Sequence, residues 1–165
     1  DIPVVLTSRR YSASNQFVFE KCAYGDYLFT NGTPNAEYII PKQVVRLRIL
    51  NAEMERGFNI GFSDNRTFYV ISSGGGLFDK PVAVTRLPIH VGERYEILVD
   101  CNNDAVGSTL DLMAYNSGQS QSFPGGEPAT GGEFGSLLNN KNFQQLKTVF
   151  CESLLLFNCN FLEEI

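Results

Sequence analysis

Apolar and polar residues alternate with a period of two along most of the chain, and helical spacing is hard to find. QVVRLRILNA puts Val45, Leu47 and Ile49 on one face and Arg46 and Arg48 on the other. RYEILVD does the same with Tyr95, Ile97 and Val99 against Arg94, Glu96 and Leu98. GFNIGF places Phe58, Ile60 and Phe62 on a common face, and TFYVISS adds Phe68 and Val70. IPVVLTSRRY, NQFVFEK, DYLFTNGTPNAEYIIP, KPVAVTRLPI, STLDLMAY and a closing NFQQLKTV read as further strands. Turn residues separate them: Asn31-Gly32, which both tolerate positive φ, the SDNR stretch, and Gly74-Gly75-Gly76. The pattern predicts an all-β fold, an antiparallel sandwich or barrel, with Val45, Leu47, Ile49, Phe68, Val70, Tyr95, Ile97 and Val99 facing inward.

Two segments break the alternation. Residues 116–138 are rich in Gly, Ser, Gln and Pro and are expected to form a long, flexible, exposed loop. Residues 150–165, FCESLLLFNCNFLEEI, are apolar without a turn, and a C-terminal helix is one reading of them. The predicted organisation is one domain over 1–149 followed by an atypical tail over 150–165.

A length of 165 residues suits a single domain with a true core. Apolar residues make up 43% and charged residues 19%, the balance of an ordinary folded globule. The net charge of −5, with its 13 basic residues scattered, argues against nucleic acid as a partner. No stretch reaches transmembrane length, so no membrane partner is expected. The opening IPVVLTS has no basic leader region, so no signal peptide is expected. A start on Asp1 fits a mature protein or a piece of a larger one.

Candidate chemistry is sparse. His90 is the sole histidine, at the entrance of a strand. A blue-copper site needs two imidazoles and a thiolate, and a structural zinc site needs four ligands, so one histidine serves neither. It could serve a triad, but no GxSxG is present. Gly74-Gly75-Gly76 resembles a phosphate cradle only if a helix follows, and Pro81 and Pro88 argue against one. Cys22, Cys101, Cys151 and Cys159 form no CxxC pair, and four cysteines allow three disulfide pairings or none. Asn31-Gly32-Thr33 and Asn65-Arg66-Thr67 match the glycosylation triplet, which recurs by chance. Arg46 and Arg48 are placed to pair across strands with Glu93 and Glu96.

The order of the segments adds more. GDYLFTNG, then RLRILNA, then FNIGFSDNRTFYVISSGGGLFDKPVAVTRLPIHVGERYEILVD resembles the second cupredoxin domain of three-domain multicopper oxidases, in the branch of copper-efflux oxidase, spore-coat laccase and bilirubin oxidase. The resemblance covers Asp1 to about Tyr115 and continues toward Val149. Gly25-Asp26 and Asn31-Gly32 match a turn, Arg46, Arg48 and Asn51 a strand and its exit, and Gly92, Glu93 and Arg94 the entry to a late strand. His90 falls where that pattern needs no histidine.

This resemblance implies a cupredoxin-like Greek-key sandwich. In such oxidases the first and third domains supply the histidines of a trinuclear copper cluster, and the third carries a mononuclear blue copper. The parent oxidises phenols, metal ions or similar donors and reduces dioxygen to water. The middle domain ordinarily carries no copper. HxH and HCHxxxH are absent here, and Cys101 is followed by Asn102-Asn103-Asp104. The resemblance therefore implies no catalytic, cofactor-binding or metal-binding residue in this chain, and copper in the full-length parent. It implies neighbouring cupredoxin domains as partners, and a periplasmic or extracellular location. The chain alone is expected to be inactive, with an architectural role. The apolar tail departs from the family's usual connection to a third domain, and self-association through it is a further expectation. The alternative is a stand-alone secreted β-sandwich binding module using the 116–138 loop.

Overall fold

Strands account for the regular structure of the residues that the computed structural model describes, which are 1–18, 25, 27–116 and 119 in full and 143–152 as backbone. They are β1 (Ile2–Arg9), β2 (Tyr27–Thr30), β3 (Thr33–Pro34), β4 (Glu37–Pro41), β5 (Val44–Asn51), β6 (Phe58–Phe62), β7 (Phe68–Ser73), β8 (Gly76–Val84), β9 (Leu87–Ile89), β10 (Arg94–Asp100), β11 (Thr109–Ala114) and β12 (Phe143–Glu152). One sheet runs β3-β2-β1-β5-β10-β7-β8 and the other β4-β12-β11-β6-β9. Their facing sides enclose one hydrophobic core, giving the Greek-key sandwich expected.

Alternation located the core correctly. Val45, Leu47, Ile49, Phe68, Val70, Ile97 and Val99 are buried, and Tyr95 is half-buried against them. Phe62 and Phe68 meet edge to face at 5.4 Å across the two sheets. Asn31 and Gly32 do take positive φ, 52° and 77°, and turn β2 into β3. The Asn31 side chain then fastens this turn to β1: its Oδ1 accepts from Val5 N at 2.7 Å, and its Nδ2 donates to Pro3 O at 2.9 Å and to the Tyr38 hydroxyl.

Three expectations need correction. The sandwich is not wholly antiparallel: β1 pairs with β5, and β12 with β4, in parallel. Parallel neighbours need a long connection, and between β1 and β5 the chain builds β2 and β3 and crosses to β4 in the opposite sheet. KPVAVTRLPI is not one strand. The chain changes sheets at Thr85-Arg86, leaving β8 in the first sheet and β9 in the second. Both strands lie at sheet edges, where Pro81 and Pro88 break no ladder. Finally, β6 is buried on both faces rather than one. Gly61 admits the Arg86 guanidinium against the backbone, since a Cβ there would lie 2.6 Å from Arg86 Nη1. That guanidinium covers the Tyr115 ring at 3.5 Å.

The described part of NQFVFEK contributes a bridge between Tyr11 and Phe17, and residues 19–24 lie outside the described residues. The closing strand continues to Glu152, so Phe150 to Glu152 of the segment set apart as a tail are β-strand. The rest of that tail, and the 116–138 segment apart from Asn116 and Gln119, lie outside the described residues. Among the described residues no helix is long and apolar enough to cross a membrane.

Truncating Leu47 or Ile97 to Ala is expected to cost about 2–5 kcal/mol, read from urea denaturation midpoints. A loss below about 0.5 kcal/mol would place the side chain at the surface.

Candidate functional site

His90 begins the tight turn that leads β9 into β10. Its side chain is exposed, and its backbone N–H donates to Glu93 Oε2 at 2.7 Å while Glu93 N donates back to His90 O at 3.1 Å. Gly92, at φ 77°, lets this turn close. Glu93 is thus engaged in the turn and does not pair across strands. Arg46 does, reaching Glu96 at 3.8 Å, and both Arg46 and Arg48 reach Asp1, at 2.7 and 3.1 Å. These are solvated pairs of small energetic weight.

Gly74-Gly75-Gly76 forms the β7–β8 turn, and strand rather than helix follows it. The phosphate-cradle geometry is therefore missing. Beside the turn lies a groove of about 380 Å³ lined by Arg48, Ser72, Gly74, Arg94, Tyr95 and Glu96. The Arg94 guanidinium approaches Gly74 O at 3.4 Å.

Cys101 is buried just past the far end of β10. Arg66 anchors this corner. It donates to both carboxylate oxygens of Asp104 at 2.8 Å, to Asp64 at 2.8 Å, to Asp100 O at 2.9 Å and to the Cys101 sulfur at 3.8 Å. The forked pair with Arg66 holds the Asp104 carboxyl below its usual range, and Asp104 in turn keeps Arg66 charged. The length of β10, about 20 Å at ordinary strand rise, separates His90 from Cys101. Among the described residues no three His, Cys, Asp or Glu side chains gather as a metal site. Cys22 and Cys159 lie outside the described residues, as does the Cys151 side chain.

Sequence reading missed the polar centre of the molecule. Asn51, Glu53 and Arg56 lie in and after the exit of β5, and all are buried, Arg56 with 0% exposure. Asn51 Nδ2 donates to Arg56 O at 2.8 Å and Ile89 O at 3.1 Å, and its Oδ1 accepts from Glu53 N at 3.1 Å. The Arg56 guanidinium donates to Gly25 O at 3.2 Å, and Gly25 N donates to Ser8 Oγ at 2.9 Å. Gly25 is required by proximity, because a Cβ would sit 2.2 Å from Arg9 N. Burial pushes the Glu53 carboxyl up, opposed by a hydrogen bond from Ser8, the Arg56 charge, the Met54 N–H and the Arg9 charge. The sequence offered no signal for this centre, since AEMERG reads as an ordinary charged link between two strands. These groups link chain segments from β1, β5, β9 and the stretch at Gly25.

The chain is similar to known proteins over most of its length. Residues 23–129 match the multicopper oxidase family. It is 36% identical to the cell division protein FtsP of Xenorhabdus nematophila over 126 residues, 74% of this chain and 25% of that protein. It is 33% identical to the bilirubin oxidase of Albifimbria verrucaria over 122 residues, 68% of this chain and 21% of the oxidase. The structure of the laccase-like multicopper oxidase CueO from Ochrobactrum sp. superposes with a TM-score of 0.71 and 28% identity, over 94% of this chain and 32% of that one. The chain thus spans about a quarter of the length of the curated relatives it matches.

Arg56→Met is expected to destabilise by about 3–5 kcal/mol, because Glu53 would be left buried without its nearby cation. The raised Glu53 carboxyl contributes stability that is complete below its ordinary range and lost as pH rises through the raised value. Urea midpoints between about pH 4 and 7 are expected to show that loss, and Glu53→Gln to flatten it. Asp104 has the opposite sign. Its contribution is present above its ordinary range and lost as pH falls through the lowered value, so Asp104→Asn is expected to shrink the acid limb of the same profile.

Proposed function

The chain belongs to the multicopper oxidase family, and from that membership we propose that it is the copper-free middle cupredoxin domain of a longer parent, which it serves by spacing and orienting the copper-bearing domains. The carrying observation is its inventory of copper donors. A blue copper centre takes two imidazoles and a thiolate, and this chain has one histidine, an exposed one set a strand's length from Cys101. The residues present do not fit a copper centre of the family type, so no redox step is assigned to them. In the full-length parent, copper held by the flanking domains would supply the one-electron chemistry. This chain's residues hold a stiff spacer: two sheets fixed to each other by the core and by the Asn51–Glu53–Arg56 centre. The family resemblance supports a periplasmic or extracellular setting and neighbouring cupredoxin domains as partners.

The likeness to FtsP favours a second reading, in which the parent works in cell division rather than as an oxidase. The role of this domain is the same in both. Flanking HxH and HCHxxxH runs in the parent would select the oxidase, and a parent without them the second reading.

After dialysis against Cu(II), the purified chain is expected to retain less than stoichiometric copper and to show no intense blue band. One tightly held copper per chain with such a band would overturn the copper-free reading.

A further inference from the structure

β8 ends the seven-stranded sheet with only β7 beside it, and eight of its nine residues are exposed. Residues opposite each other in an antiparallel pair share a face. Val70 and Ser72 face the interior, at 3% and 6% exposure, and they oppose Val82 and Leu77. Leu77 and Val82 therefore point to the core side of the sheet, yet they are 75% and 49% exposed. The opposite sheet ends at β9, and among the described residues none lies over them. Between these two registers β8 advances further than β7, so the regular ladder is interrupted at Phe78 to Pro81. Phe78 is also exposed. Large apolar side chains thus gather on an open edge of the sandwich, a patch of the kind that marks an interaction site.

We propose that this β7–β8 edge, centred on Leu77 and Val82, is the surface on which a neighbouring β-sandwich domain of the parent polypeptide docks, an inference that rests on the reading of the chain as one domain of several. This chain covers 25% of the matched FtsP and 32% of the CueO structure, so about three quarters and two thirds of those chains lie outside the match, which supplies such a cover. The chain's own C-terminal segment is the competing occupant. It lies outside the described residues beyond β12, a strand in the other sheet, whereas a flanking domain is a part of every matched relative. A second copy added edge to edge is opposed by Asp79, Lys80 and Pro81 in β8, because charges and proline blunt strand addition. A domain seated face-on against Leu77 and Val82 meets no such obstacle.

Hydrogen exchange on three proteins tests this: the full-length parent, the isolated chain, and the chain lacking residues 153–165. Amides of residues 76–84 are expected to exchange on the order of tenfold more slowly in the parent, and equally fast in both short forms. Leu77→Lys with Val82→Lys in the parent is expected to abolish that protection, while the same pair leaves the isolated chain's Tm unchanged. Val106→Lys, at another exposed apolar position, is expected to leave the protection intact. Equal exchange in parent and chain would overturn the docking face while leaving the spacer role standing. Protection lost on deleting the tail, or gained by the isolated chain at rising concentration, would assign the face to the tail or to a second copy and overturn it. A parent that encodes no flanking domain would overturn both readings.

Discussion

A fully buried asparagine holds the two sheets in register at one end. Asn51 closes β5, and its amide contacts three backbone groups of the interior: the carbonyls of Arg56 and Ile89 and the N–H of Glu53. Its own backbone exchanges bonds with Gly92 and Glu93, and the neighbouring Ala52 N donates to Leu6 O at 2.9 Å. One residue thus ties the exit of β5, the end of β9, the turn into β10 and the adjacent β1. Buried backbone groups must find partners, and a loop that crosses between sheets has no ladder to supply them. Asn51 supplies them where the ladders stop.

Asn51 also fixes the loop that brings Arg56 inside. A guanidinium at zero exposure is costly unless its surroundings answer it, and Gly25, Glu53 and Ser8 converge there from three segments. Asn116 does similar work at β6, donating to Gly57 O and accepting from Asn59 N. The sandwich is closed by polar side chains that satisfy crossing backbone, with apolar residues filling the space between. Closure of this kind supports the proposed reading of the chain as a spacer between neighbouring domains.

The outer face of the seven-stranded sheet and its β8 edge differ in character. The outer side of the seven-stranded sheet carries solvated charges, Arg46, Arg48, Arg94 and Glu96, which keep that face in water. The β8 edge carries Leu77, Phe78 and Val82 where the opposite sheet has ended. The unequal strand numbers of the two sheets create that exposure.

Alternation of side chains in β5, β7 and β10 was enough to read the strands, the inward set and the all-β class, because a strand with one wet face must alternate. The Asn31-Gly32 turn was legible because few residue pairs accept two positive φ angles. A count of histidines was enough to argue against a copper centre of the family type, since ligand number is a property of composition. Pairing direction was not legible: β1 beside β5 and β12 beside β4 depend on where the chain goes between them. Nor was the split of KPVAVTRLPI, whose two halves have the same local pattern and belong to different sheets. Arg56 looked like any charged loop residue, and Leu77 like any apolar strand residue. Burial of the first and exposure of the second are set by what lies across from them, which only the packing of one sheet on the other decides.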